Sequence, residues 1–127
     1  MSEADAQNVR YRTRVTKVGP LIPDFRESGL IIFFAEGAPE ELHEFSVLHA
    51  PEVTVGGLAA GDTIHIDDWS AEILAVGDVA NDNLVNLGHL DLKANGETTA
   101  SLPGDVNVAV VALPEIHPNS VMEIRTA

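Results

Sequence analysis

The side chains of this chain that could carry chemistry are few, and histidine is prominent among them. There are five histidines and no cysteine in 127 residues, which excludes a thiol nucleophile, a cysteine-built zinc site and a disulfide scaffold. A covalent intermediate would therefore fall to Ser, Thr, Lys, His or a carboxylate. The sequence contains no GxSxG elbow, no phosphate-binding GxxxxGK[ST] loop and no GxGxxG turn.

The spacing of the histidines gives no support to a metal site. A helical zinc protease needs HExxH, but in HEFSVLH the residues His43 and His49 are six positions apart, across a predicted helix-to-strand break. The chain has no HxH pair either. We therefore predict no metal and no cofactor. Taken singly, each histidine is explained by a structural role in a helix, a strand or a loop: His43, His49, His65, His89 and His117.

One of these histidines ends a segment that stands out from the chain's overall charge. The formal net charge is −13, with 20 acidic and 7 basic residues, yet FSVLHAP (residues 45–51) contains no formally charged side chain. A field of that sign opposes binding to nucleic acid or anionic membranes. The start, MSEADAQN, lacks the basic and apolar parts of a signal peptide, and no apolar run approaches the ~20 residues that cross a bilayer. We expect a cytoplasmic protein with no membrane insertion.

The elements that must position the histidines are short strands. Residues 9–18, VRYRTRVTKV, alternate as a half-buried strand requires. Arg10, Arg12 and Arg14 share one face of this strand. They either attract a negatively charged group or partner, or form a solvated face that pairs with some of the many acids.

The remaining segments predict mainly turns and strands. GPLIPD is predicted to be a turn or loop, because two prolines and a glycine suit neither a helix nor a central strand. EGAPEELHEF predicts one or two helical turns, VANDNLVNLG a second short helix, and SVLHA a strand that Pro51 limits. HLDLKANGETTASL predicts a β-hairpin around Asn-Gly.

Short strands separated by turns that contain Gly and Pro predict an all-β (mostly β) fold. We expect a small closed or partly open β-barrel with one or two short helical segments. We expect a mobile segment over residues 1–8 and a single barrel domain over residues 9–127. An exposed barrel edge would allow a second copy to pair, forming a homo-oligomer.

Two long stretches carry a family resemblance. FFAEGAPEELHEFSVLHA resembles the segment around the phosphorylated histidine in the glucitol/sorbitol-specific enzyme IIA family of the bacterial phosphotransferase system (PTS). AVGDVANDNLVNLGHLDLKANG resembles the most recognisable block of that family, and LPGDVNVA and PNSVMEI resemble its last strands. Together with TRVTKVG, the similarity runs in order from about Tyr11 to Glu123, so the chain is identified as a member.

The resemblance implies a phosphotransferase that works as a phosphocarrier on a small β-barrel. The histidine at the end of the segment after EGAP is His49, whereas His43 does not align with the reactive position. By resemblance, Nε2 of His49 takes a phosphoryl group from HPr and passes it to the IIB part of the IIB/IIC hexitol transporter. This role requires an imidazole that reaches solvent with one free nitrogen, while a backbone carbonyl or a carboxylate holds the other.

His89 is the second candidate site residue. In the family-like Gly-His pair it would lie near His49 and hydrogen-bond the phosphoryl oxygens, or else serve as a structural histidine at a strand entrance. We also expect the uncharged segment to give HPr an apolar docking surface at Val47 and Leu48. This chain has Ala35 where some relatives carry a basic residue and Ser46 where some have cysteine.

Two alternatives to the phosphocarrier remain open. One is a regulatory or binding module of the same fold that has lost the transfer role. The other is a metal-binding barrel that uses two or three of the five histidines.

Overall fold

The structure is a computed structural model that describes residues 8–127. Residues 1–7 of the predicted mobile segment lie outside the described residues, whereas the carbonyl of Asn8 accepts a 2.9 Å hydrogen bond from the Thr126 N–H. The described residues form a strand-rich fold with strands β1 (Val9–Val18), β2 (Leu30–Ala35), β3 (Val47–Thr54), β4 (Thr63–Ile66), β5 (Trp69–Glu72), β6 (Ala75–Val76), β7 (Leu90–Ala94), β8 (Asp105–Val108) and β9 (Val121–Arg125). Its short helical segments are α1 (Ile22–Glu27), a 3-10 helix (Glu40–Phe45) and α2 (Ala80–Leu87). None of these helices is long and apolar enough to cross a membrane.

All of these strands belong to one sheet that curls on itself. The strand order is β5-β4-β9-β1-β3-β2-β7-β8-β6, so β5 and β6 are its two edges. Only Ile73 and Leu74 separate these edge strands along the chain, and three residue steps span at most about 11 Å. The two edges must therefore approach each other, which confirms the predicted partly open, barrel-like fold.

The first strand has the alternating faces that its sequence predicts. Val9, Tyr11, Thr13 and Val15 are buried, with exposed fractions of 4% or less, while the arginines between them lie on the outer face. Thr13 is the polar member of the buried face. A hydroxyl in that position needs a hydrogen-bond partner inside the barrel.

The strand that carries His49 lies inside the sheet. β3 pairs with β1 on one side, antiparallel, and with β2 on the other, parallel. Pro51 does not end this strand, because the register with β1 shifts between Arg12 and Thr13, where Pro51 is the partner. Such a bulge accommodates a residue that has no N–H to donate.

The apolar side chains that fill the barrel come from most of its strands. The largest fully buried ones include Tyr11, Ile31, Phe33, Ile64, Ile66, Leu90, Leu92, Met122 and Ile124. Leu84 adds α2 to the same core. This packing holds α2 against the barrel, which matters because the end of α2 reaches the candidate site.

The turn or loop predicted for GPLIPD is confirmed at residues 19–21 but wrong from Ile22, where helix α1 begins. Pro23 lies in its first turn, where the missing N–H costs no helical hydrogen bond. Ile22 is buried, and the ring of Phe25 lies 6.5 Å from that of Phe45. Burial of this apolar face stabilises a helix in a segment whose two prolines, Pro20 and Pro23, locally favour a turn.

The predicted β-hairpin around Asn95 is also wrong, because β7 and β8 pair in parallel. The side chain of Asn95 accepts a hydrogen bond from the Glu97 N–H and donates one to Asn107. An Asx turn of this kind replaces the two-residue turn that the predicted β-hairpin would need. A longer crossover through residues 95–104 then places β8 beside β7 with the same direction.

The burial of Val47 leads to a stability prediction. Val47 has no exposed surface, whereas Val110 is 78% exposed. We expect Val47→Asp to lower the free energy of unfolding by more than about 4 kcal/mol, because an unpaired charge enters the core. Val110→Asp should leave it within about 0.5 kcal/mol. Urea unfolding followed by circular dichroism measures both, and a Val47→Asp protein as stable as Val110→Asp would contradict the packing described.

Candidate functional site

The imidazole of His49 lies inside the barrel. The residue has no exposed surface, and its ring contacts two aromatic rings edge-on. The ring centroids of Tyr11 and Phe33 lie 6.2 Å and 6.1 Å from it, at interplanar angles of 75° and 76°. The side chain is therefore fixed in orientation by packing as well as by its polar contacts.

Both ring nitrogens of His49 make short hydrogen bonds. Nδ1 lies 2.6 Å from the hydroxyl oxygen of Thr13, and Nε2 lies 2.7 Å from the carbonyl oxygen of Gly88. A carbonyl can only accept, so Nε2 must carry the proton and donate it. In the neutral ring Nδ1 is then unprotonated and accepts from the Thr13 hydroxyl.

Gly88 reaches the imidazole because it ends helix α2 in the left-handed region. Its φ is 65°, and it follows Leu87, the last residue of the helix. A Cβ at this position would lie 2.6 Å from the Ala35 nitrogen and 2.8 Å from the Ala35 Cβ. Only glycine fits so close to β2 in this conformation. The glycine of the Gly-His pair thus brings a carbonyl to His49.

This arrangement differs from what the sequence predicts. The expected ring was exposed with a free nitrogen, but the structure holds it buried with both nitrogens bonded. The expected partner of Nδ1 was a carbonyl or a carboxylate, but Nδ1 meets a threonine hydroxyl, and the carbonyl faces Nε2. The described conformation is therefore a closed one, in which neither ring nitrogen of His49 is free.

Burial also controls the charge of the ring. It lowers the pKa of His49 below the ordinary value, and this effect outweighs the Gly88 carbonyl and the Glu36 carboxylate, which both raise it. Removing an imidazolium from water disfavours the charged form. The ring is therefore neutral at pH 7, which is the form that can act as a nucleophile.

His89 lies next to the Gly88 carbonyl in the chain and is only partly buried. Its ring stacks on Phe34, with a centroid distance of 4.3 Å and an interplanar angle of 3°. Its Nε2 lies 3.1 Å from a carboxylate oxygen of Asp91. These contacts fix the ring at the end of α2, beside the residue that covers His49.

An apolar cleft opens on the same side of the protein. It has a volume of about 430 Å³, and its lining includes Phe34, Ala35, Leu42 and Leu87. Ala35 and Leu87 both adjoin Gly88, and Leu87 is 54% exposed. The docking surface predicted at Val47 and Leu48 is wrong, because those side chains are only 0% and 3% exposed.

The arginine face of β1 points away from this site. Alternation along the strand puts Arg12 and Arg14 on the face opposite Thr13, which holds His49. Arg12 lies 2.7 Å from Glu123, and Arg14 lies 3.7 Å from Glu52. Pairing with acidic residues is thus confirmed for these two arginines.

The other three histidines lie in separate local environments. Nε2 of His43 lies 2.8 Å from the Ala38 carbonyl, Nε2 of His65 lies 3.0 Å from the Thr63 hydroxyl, and His117 lies 3.6 Å from Glu115. Among residues 8–127, no three His, Asp or Glu side chains are grouped so that they could hold a metal ion.

Sequence reasoning singled out His49 and His89 but missed Thr13 and Gly88 as site residues. A signal for Thr13 was present, because it is the polar residue on the buried face of β1, between Tyr11 and Val15. Gly88 gave a weaker signal, as a glycine at the end of a predicted helix. Neither signal indicated that the two residues would meet the same imidazole.

Comparison with known proteins accounts for nearly the whole chain. Residues 10–123 match the family model of the PTS system glucitol/sorbitol-specific IIA component. Two relatives named PTS system glucitol/sorbitol-specific EIIA component, from Shigella flexneri and Escherichia coli (strain K12), are each 35% identical over 93% of this chain and 96% of their own.

A solved structure is also similar, the crystal structure of a PTS system IIA component from Enterococcus faecalis V583. It aligns with a TM-score of 0.78 and 27% identity over 91% of this chain and 99% of that chain. The similarity in fold agrees with the similarity in sequence. The chain therefore belongs to the family of glucitol/sorbitol-specific IIA components of the sugar phosphotransferase system.

Proposed function

We propose that this protein is a phosphocarrier that accepts a phosphoryl group from HPr on Nε2 of His49. It then passes the group to the IIB part of a glucitol/sorbitol transporter, whose IIB/IIC components phosphorylate and take up the hexitol. The observation that carries this proposal is the family match over residues 10–123, which includes His49. The expected cytoplasmic location stays a prediction.

The chemistry of the transfer suits the environment of His49. After the proton has moved from Nε2 to Nδ1, Nε2 of the neutral ring supplies a lone pair, a bond forms between Nε2 and phosphorus, and the bond between phosphorus and the donor breaks. Positioning and electrostatic stabilisation carry most of the catalysis in such transfers. The lowered pKa of His49 keeps the ring neutral, and the packing of Tyr11 and Phe33 holds it in one orientation.

The closed conformation adds one requirement. The Gly88 carbonyl lies 2.7 Å from Nε2, where the phosphoryl group would have to bind. The carbonyl must therefore move before transfer, and a phosphoryl group with roughly two negative charges must be accepted by a chain of net charge −13. Hydrogen-bond donors near Nε2 would offset that repulsion.

His89 is the proposed donor. It follows Gly88 directly, and the carboxylate of Asp91 and the ring of Phe34 hold its imidazole. In this proposal His89 hydrogen-bonds the phosphoryl oxygens after Gly88 moves.

The apolar cleft beside Gly88 is the proposed docking surface for HPr. A donor protein must approach Nε2 from the side that Gly88 covers, and Ala35 and Leu87 on that side line the cleft. The exposed Leu87 supplies apolar surface that a partner can bury. Ala35 lines this cleft, and the family resemblance puts a basic residue at its position in some relatives, so we expect partner recognition to differ here.

One observation favours a second candidate function. Because both nitrogens of His49 are bonded in a buried ring, the chain could instead be a regulatory or binding module of the same fold that no longer transfers phosphate. Phosphorylation experiments distinguish this module from the carrier.

The first prediction concerns the phosphorylated residue. Incubation with phosphoenolpyruvate, enzyme I and HPr should add one acid-labile phosphoryl group, detected by intact-mass spectrometry. We expect His49→Ala to abolish labelling, His89→Ala to slow it about 10- to 100-fold, and His43→Ala to leave it unchanged. An unlabelled wild-type protein would overturn the proposal and favour the regulatory module.

The second prediction concerns pH. Since burial lowers the pKa of His49, its ring should remain neutral as the pH falls to about 6.5 and titrate only below that value. The unfolded state binds more protons in this window, so the free energy of unfolding should fall as the pH drops below about 6.5.

Ring nitrogen shifts measured by NMR against pH test the titration. His65 contributes to the stability effect in the same direction, because burial lowers its pKa too. The comparison of wild type with His49→Gln therefore isolates the share of His49. A His49 midpoint at or above 6.5 would contradict the burial argument.

The third prediction concerns docking. Leu87→Asp should slow phosphorylation by HPr about tenfold or more, because it removes apolar contact area and adds a charge to the cleft. Val110→Asp is the matched control, since Val110 is 78% exposed and does not line this cleft. Equal phosphorylation rates for the two variants, with melting temperatures unchanged, would exclude the cleft as the docking surface.

A further inference from the structure

The hydrogen bonds of His49 indicate a role for Thr13. This role rests on the proposed phosphoryl transfer to His49. We infer that Thr13 is a positioning residue whose hydroxyl can hold the His49 ring in either tautomer, including the reactive one, and that the Gly88 carbonyl is a cap that the reactive tautomer expels. The inference depends on the two ring contacts of 2.6 Å and 2.7 Å.

In the resting state the proton lies on the nitrogen that must react. Gly88 offers only lone pairs, so Nε2 carries the proton, and the Thr13 hydroxyl donates to Nδ1. A protonated Nε2 has no lone pair to attack phosphorus. The capped ring is therefore both covered and in the unreactive tautomer, which prevents unproductive reaction in the absence of a partner.

Thr13 is suited to hold the reactive tautomer because a hydroxyl both donates and accepts. When the proton has moved from Nε2 to Nδ1, Nδ1 becomes a donor and the same Thr13 oxygen accepts from it. A carbonyl at this position could hold only one tautomer, and an aliphatic side chain could hold neither. Thr13 is fully buried, so water does not replace the hydroxyl there.

The same proton movement removes the hydrogen bond that holds the cap. With the proton gone, the Nε2 lone pair faces the Gly88 oxygen at 2.7 Å, and two acceptors at that distance repel each other. Gly88 ends its helix as a glycine at φ 65°, and glycine has more accessible backbone conformations than other residues. The carbonyl then leaves the position that the phosphoryl group takes.

The transfer step balances with these groups alone. The lone pair of Nε2 forms the bond to phosphorus, and the bond between phosphorus and the donor breaks, with its electron pair staying on the donor. The proton on Nδ1 stays on that nitrogen, and the N–H donates a hydrogen bond to the Thr13 oxygen. On transfer to the acceptor the Nε2–phosphorus bond breaks and Nε2 regains its lone pair. Once the proton has returned from Nδ1 to Nε2, the Nε2–H can donate to the Gly88 carbonyl and the cap closes again.

Three variants on one strand test the inference. Thr13→Val removes the hydroxyl while keeping the shape, Thr13→Ser keeps the hydroxyl, and Thr16→Val is the matched control. Thr16 is exposed, on the other face of β1, and its hydroxyl donates to the Leu48 carbonyl. We expect phosphorylation by HPr to fall about 10- to 100-fold in Thr13→Val, to stay within about threefold in Thr13→Ser, and to be unchanged in Thr16→Val.

The ring nitrogens give a readout that a purely structural role would not change. In ¹⁵N-labelled wild-type protein, long-range proton–nitrogen spectra should report the Nε2–H tautomer of His49 before phosphorylation and Nδ1–H afterwards. In Thr13→Val the resting shifts should move further toward pure Nε2–H, and Thr13→Ser should restore the wild-type values. A resting ring in the Nδ1–H form, or a Thr13→Val protein with wild-type shifts and a wild-type rate, would overturn the inference.

The outcomes separate this inference from the proposed function. If wild type is labelled and His49→Ala is not, the phosphocarrier stands, and the Thr13 variants decide the positioning role on their own. If Thr13→Val does not fold, the Thr13→Ser rate and the wild-type ring spectra decide it. A Thr13→Ser rate as low as that of His49→Ala, in a folded protein, would count against the shared hydroxyl.

Discussion

The site depends on one constraint, which is that a polar ring buried in an apolar barrel must satisfy both of its nitrogens. His49 does so with the hydroxyl of Thr13 on β1 and the carbonyl of Gly88 at the end of α2. Each partner comes from an element that packs on the same core, so the two hydrogen bonds connect the sheet, the helix and β3. Loss of either would leave a buried polar group without a partner.

This constraint explains how a member of a phosphotransferase family can hold its candidate nucleophile inside the protein. Burial keeps the imidazole neutral and fixes its orientation, and the Gly88 carbonyl covers the nitrogen that would react. The covering group belongs to a single glycine whose backbone can change, while the ring itself rests on Tyr11 and Phe33.

Part of the fold could be predicted because local pattern and tertiary packing agree. The alternation of β1, the turn before the 3-10 helix and the strand-rich architecture follow from residue periodicity and from Gly and Pro positions. The prediction was wrong where packing outweighs local preference. Residues 22–24 of GPLIPD begin a helix because Ile22 is buried, and Asn95 makes an Asx turn instead of a hairpin. The apolar surface expected at Val47 is core, since periodicity cannot tell a doubly covered strand from an exposed one.

The sequence by itself determined the family and the identity of the candidate histidine, because collinear similarity from Tyr11 to Glu123 places His49 at the end of the EGAP segment. Only the tertiary structure decided what surrounds that histidine. Thr13 and Gly88 lie 36 and 39 positions from His49 along the chain, and such contacts arise from strand pairing and helix packing, which no local pattern records. The tautomer, the burial and the cover of the ring follow from those distant contacts.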